Sequence, residues 1–209
     1  MTRFRPCIDL HEGRVKQIVG GTLKDGAAPR TNFVSDRDAA HYAGLYRENG
    51  MRGGHVIVSS WLFPSGRLDR QRLRELSAAA GPDRLVVDLS CRRRENGWFV
   101  AIDRWQTVTE VRLDASLFAA LAPYCVEYLV HAADMEGLCR GVDWELVRLL
   151  AELVEKPATY AGGATAAEDL DRMDSESRGR IDLTIGSALD IFGGSVRFTD
   201  CAAWNRRSK

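Results

Sequence analysis

A chain of 209 residues with 45% apolar content can bury one substantial core, and its length alone does not demand two domains. Lys and Arg together number 29, as do Asp and Glu, so no excess of positive charge marks a nucleic-acid surface. No apolar run approaches the roughly 18 residues of a membrane span, the N-terminal MTRFRPCIDLHEGR has no apolar signal core, and five scattered cysteines (Cys7, Cys91, Cys125, Cys139, Cys201) contain no CxxC pair. Reduced thiols and a cytoplasmic location are expected.

The first apolar run, Phe4–Leu10, reads as a strand, followed by a polar loop in which Gly20-Gly21-Thr22 can fold over a phosphate. Ser35 can cap a helix over 36–48, with Ala39, Ala40, Ala43, Leu45 and Tyr46 on its apolar face. Gly54–Ser60 reads as a second strand, and 69–79 is helical by composition, ending before Gly81-Pro82. Arg84–Ser90 is a third strand. The long connection after it, RRRENGWFVAIDRWQTVTE (92–110), carries the hairpin signal Asn96-Gly97 and has the character of a lid. Within it, Trp98 and Trp105 either cover a heterocycle or pack the hairpin. Strands Glu127–Ala132, Ala158–Gly162 and Asp182–Gly186 follow, with Asp143 placed to cap a helix over 144–154, and the tail from Asn205 is expected to fray. The strands lack strict apolar alternation, as when both faces of a parallel sheet are covered. Strand and helix alternate at βαβ spacing, so the fold class is α/β.

The chain also repeats itself. Cys7-Ile8-Asp9-Leu10 and Val87-Asp88-Leu89-Ser90 each place an Asp at the same point of an apolar strand. Val56-Ile57-Val58-Ser59-Ser60-Trp61-Leu62 likewise resembles Leu183-Thr184-Ile185-Gly186-Ser187-Ala188-Leu189. Two half-barrels of four βα units, with Asp strands first and Ser strands last, account for this as a (β/α)8 barrel. The second half is complete. The first has no counterpart of AGGA, and GGHVI runs directly into VIVSSWLF. A barrel typically needs about 250 residues, so the expectation is one reduced barrel domain over 1–209, of about six strands. The second/third βα region is missing, with a seam near 55–58. Six strands must either close more tightly or leave an exposed edge.

In a parallel barrel the C-terminal strand ends form the catalytic face, and both Asp9 and Asp88 fall there. Paired carboxylates in unlike surroundings can divide into base and acid. For one isolated Asp, capping a turn or pairing with Arg14 or Arg92 is the plainer reading; two at equivalent places of a repeat favour catalysis. Ala161-Gly162-Gly163-Ala164-Thr165 and Ile185-Gly186-Ser187-Ala188 each follow a strand and open a helix, the pattern of a phosphate cradle. His131 at a strand end either meets ligand or is a satisfied core histidine. His11 and His55 lack partners at ligand spacing, so no metal is expected.

The segments FRPCIDLHEGRVKQIVGGTL, RTNFVSD, LVVDLSCR, DRWQT, LVHAADMEGLCRG, TYAGGA and DLTIGSALDIFGG closely resemble the fungal and plant-type phosphoribosylformimino-aminoimidazole carboxamide ribotide isomerase family of histidine biosynthesis. The likeness covers nearly the whole chain. It implies a cytosolic, monomeric (β/α)8 barrel without metal or organic cofactor, which carries out an Amadori rearrangement of an aminoaldose to an aminoketose on a substrate with two phosphates. Asp88 matches the general acid that protonates the ribose ring oxygen and opens the ring to a Schiff base. Asp9 matches the base that then removes the C2 proton. Gly162, Gly163, Gly186 and Ser187 match one phosphate site and Ser60 one edge of the other; Gly20, Gly21, Arg92 and His131 join the substrate-binding set. The glycine-rich third-strand motif of the family is absent here, which implies weakened or lost turnover. The related imidazole-forming cyclase, on the same barrel, is the rival enzyme; DRWQT and HAADMEGLCRG favour the isomerase. A non-catalytic sugar-phosphate-binding barrel is the rival from another class.

Overall fold

A computed structural model describes residues 1–8, 10–11, 14–18, 31–51, 54–138 and 140–207. In chain order the strands are β1 (Leu10–His11), β2 (Arg14–Ile18), β3 (Thr31–Val34), β4 (Val56–Val58), β5 (Leu85–Asp88), β6 (Cys91–Arg94), β7 (Gly97–Ile102), β8 (Thr107–Arg112), β9 (Glu127–His131), β10 (Ala158–Ala161) and β11 (Ile181–Thr184). The α-helices are α1 (Ala39–Glu48), α2 (Arg70–Ala80), α3 (Ala115–Leu121), α4 (Trp144–Leu153), α5 (Asp169–Ser177) and α6 (Phe198–Arg207). No helix among the described residues is long and apolar enough to cross a membrane.

The central sheet is parallel throughout, in the order β11-β10-β9-β5-β4. Its middle strands are apolar on both faces: Leu85, Val86 and Val87 of β5 and all four residues of β10 are buried. Helices supply the cover. On α4, Leu146, Val147 and Leu150 face the core, and each such side chain contributes about 1.5–3 kcal/mol by leaving water. Aspartates start four of the helices: Asp38, Asp69, Asp114 and Asp143 accept first-turn N–H groups of α1, α2, α3 and α4.

A parallel bridge from Phe4 to Leu183 sets the first segment beside β11, with Arg5 N–H donating to the Leu183 carbonyl and Leu183 N–H to that of Arg3, both at 2.9 Å. The opening segment and the last strand are thus neighbours, a contact that barrel closure requires. At the other end, β4 has no partner on its outer edge among the described residues. Val56 and Ile57 there are 40% and 57% exposed, and the neighbouring Trp61 is 50% exposed. Of the two outcomes open to a reduced barrel, the described residues show the exposed edge.

Four expectations need correction. Among the described residues the run Phe4–Leu10 is not one strand: it bridges at Phe4, and Leu10–His11 turns back on Arg14–Val15. On the side of Phe4 away from β11, Phe4 N–H donates to Asn205 Oδ1 and the Asn205 amide donates to the Phe4 carbonyl, both at 2.8 Å. Residues 205–207 are accordingly not frayed but form the end of α6; 208–209 lie outside the described residues. Helix α1 begins at Ala39, not 36, because Ser35 closes its own turn by accepting Arg37 N–H at 2.8 Å and pairs with the Tyr42 hydroxyl at 3.0 Å. Finally, the 92–110 connection is no loose lid. It lies within an antiparallel meander, β6-β7-β8, whose central residues Trp98–Ile102 are buried. Trp98 packs there with its indole N–H donating to Asp143 Oδ2 at 3.0 Å.

Candidate active site

Every strand of the central sheet points the same way, so the residues that leave β4, β5, β9, β10 and β11 gather on one face. Asp88 ends β5, near the middle of the sheet. Its carboxylate accepts from the Ser90 hydroxyl at 3.1 and 3.2 Å and is hydrogen-bonded by Ser59, which leaves the neighbouring β4. The carboxyl holds its proton above the ordinary range chiefly because burial disfavours the charged form; His131 and the two serines pull in the other direction. A raised proton affinity suits a carboxylic acid to act as a general acid.

His131 ends β9, next to β5. Its Nε2 lies 2.7 Å from Glu136 Oε2, with the two side chains 19% and 16% exposed. The Trp105 ring meets the imidazole edge-on, with centroids 4.8 Å apart. Trp105 reaches this place from a turn in which Asp103, Arg104 and Trp105 all have positive φ, at 52°, 55° and 66°. Such left-handed residues each cost about 1–2 kcal/mol, and the surrounding meander holds them in position. Arg92 does not pair with Asp88. Its Nε donates to Asp134 Oδ1 at 2.7 Å, and Asp134 Oδ2 accepts Arg93 N–H at 2.9 Å.

The loop after β10 is shaped by close backbone approach. Gly162 and Gly163 have φ of 116° and 80°, and a Cβ on them would lie 2.8 Å from the Ala132 carbonyl oxygen and 2.1 Å from that of Gly141. The two glycines are therefore required by the 132–141 segment that crosses them. Just beyond, Asp169 accepts the N–H groups of Thr165 and Ala166 at 2.8 and 3.1 Å. After β11, Leu189 N–H donates to the Gly186 carbonyl at 2.9 Å, closing a turn that carries the half-buried Ser187. Ser60, exposed, opens a short turn after β4. The Ser60 turn and the Gly186-Ser187 turn follow the two outermost strands of the five-stranded sheet, with the Asp88 strand between them.

Asp9, Gly20 and Gly21 lie outside the described residues. Sequence reasoning missed Ser59, Ser90 and Glu136. Of these only Ser90 carries a local signal, as a hydroxyl two residues beyond the acid. Among the described residues no group of three His, Cys, Asp or Glu side chains is arranged to hold a metal.

A parallel α/β sheet of barrel order, with a carboxyl desolvated at an interior strand end, defines the class: a barrel-type enzyme fold. A family model described as "Histidine biosynthesis protein" matches residues 56–196. A protein of Eremothecium gossypii named 1-(5-phosphoribosyl)-5-((5-phosphoribosylamino)methylideneamino) imidazole-4-carboxamide isomerase is 48% identical, over 99% of this chain and 100% of its own length. The isomerase of the same name from Saccharomyces cerevisiae is 42% identical over 99% of each chain. A chloroplastic one from Medicago truncatula is 40% identical over 99% of this chain and 83% of its own. The chain belongs to this isomerase family of histidine biosynthesis. The first of these alignments runs over 262 positions, whereas the chain has 209 residues, so at least 53 positions hold no residue of this chain. Since the match spans both chains almost end to end, that shortfall is internal.

Proposed function

We propose that this chain is an aldose–ketose isomerase that acts on a bis-phosphorylated ribotide, with turnover reduced by the missing segment. Asp88 protonates the ribose ring oxygen, which opens the ring to a Schiff base. Asp9 removes the C2 proton, and the resulting enolamine tautomerises to the ketone. Gly162, Gly163, Gly186 and Ser187 hold one phosphate. Ser60 forms one edge of the other site, whose second half falls in the absent region near a seam at 55–58. Gly20, Gly21, Arg92 and His131 complete the substrate contacts of a single-domain, monomeric, cytoplasmic protein. The observation that carries this reading is the Asp88 carboxyl, desolvated at a central strand end and flanked by the Ser60 turn on one side and the glycine loops on the other.

A turnover assay on the purified chain with the bis-phosphorylated ribotide tests it. Measurable conversion is expected, slower than that of a full-length relative, with Asp88→Asn lowering it by roughly 10²–10⁴-fold while ligand affinity is kept. Rates equal to those of a full-length relative overturn the claim that the missing segment matters. Unchanged turnover in Asp88→Asn overturns the role of the acid.

A further inference from the structure

Burial raises the proton affinity of Asp88. The side chain that opposes this most is His131, ahead of Ser59 and Ser90, and His131 has a carboxylate of its own: Glu136 at 2.7 Å, five residues further along a tight turn. We propose that Glu136 is a positioning residue that acts through His131 to set how readily Asp88 releases its proton.

The geometry carries the argument. A half-buried carboxylate accepting from Nε2 fixes the imidazole orientation and favours its protonated form. The Trp105 ring against the imidazole restricts rotation away from that partner. A cation so held, at the end of the strand beside that of Asp88, stabilises the carboxylate left behind after proton transfer. The other charged and titratable groups around the pair are occupied differently. Arg92 and Asp134 neutralise each other at 2.7 Å. The Cys91 thiol of β6 and the Tyr160 phenol of β10 are both pushed up by burial and stay neutral. Asp143 is engaged by Trp98 and by Leu146 N–H of α4. Glu136 is the carboxylate that meets the imidazole.

The inference rests on the reading of Asp88 as the acid, yet its test needs no turnover. In the full chain, the Cε1–H resonance of His131, assigned with His131→Gln, is followed against pH by NMR, together with the Asp88 carboxyl carbon. Glu136→Gln is expected to lower the His131 midpoint by roughly one to two pH units and to raise that of Asp88; Glu136→Asp restores part of both. Asp88→Asn, in turn, lowers the His131 midpoint, because coupling between two titrating groups is reciprocal. If Glu136→Gln fails to fold, the Glu136→Asp and Asp88→Asn titrations still decide. A His131 midpoint indifferent to Glu136, or to Asp88, overturns the proposal. Intact coupling in a chain without turnover instead overturns the isomerase reading.

Discussion

At Asp88, function and stability pull in opposite directions. Its folded-state proton affinity is raised by burial, so between the ordinary carboxylate range and the raised midpoint the native state binds more protons than the unfolded one. Stability contributed at this site therefore falls as pH rises through that window, and below it the two states are equally protonated. Asp88→Asn removes the charge that burial disfavours. The variant is expected to melt higher than the parent at neutral pH, with the gain vanishing on acidification below the ordinary carboxylate range; paired thermal melts across pH check it. Gly163 gives the opposite kind of site. With φ at 80° and the Gly141 carbonyl oxygen 2.1 Å from any added Cβ, Gly163→Ala combines a left-handed backbone with a clash against main chain. A loss of about 2–4 kcal/mol is expected, read from urea denaturation. Asp88 was legible in the sequence because a repeat marks it. Glu136 was not, because nothing in local spacing says that the turn after β9 brings it back to His131.

Elements differ in how far their sequence announces them. The strands β5 and β10 are apolar runs buried on both faces, β9 buries alternate residues, and sequence reasoning locates each within a residue or two of its place. The meander β6-β7-β8 was only half legible. Asn96-Gly97 marks its first turn, but the second turn uses Asp103, Arg104 and Trp105 in left-handed conformation without glycine, which no propensity favours. Helix α6 escaped because its importance lies in what it touches, not in its composition. Edge strand β4 carries a further expectation. Val56-Ile57-Val58 presents an unpaired edge without charge or proline, the pattern that invites pairing between molecules. Ile57→Lys is expected to suppress concentration-dependent light scattering while changing stability by no more than about 0.5 kcal/mol, since the side chain is largely in solvent.

For the molecule as a whole, the contrast between its two sheet ends matters most. At the β4 end no strand pairs with the outer edge among the described residues. At the other, the carboxamide of Asn205 stands in for an absent strand, giving Phe4 one donor and one acceptor at 2.8 Å. Trp204 adds an indole N–H to the Thr2 carbonyl at 2.9 Å. Asn205→Ala is expected to cost about 2 kcal/mol, two hydrogen bonds at roughly 1 kcal/mol each, visible as a lower urea midpoint with unchanged slope.

That clasp joins residues about two hundred positions apart, and so it dictates a schedule. A ribosome adding roughly 5–20 residues per second releases the opening segment many seconds before the helix that secures it exists. Until Trp204 and Asn205 clear the exit tunnel, both margins of the growing sheet stand open together, and the nascent chain is then at its most sticky. Chaperone demand in the cell should therefore peak while α6 is still unmade and drop once that helix docks.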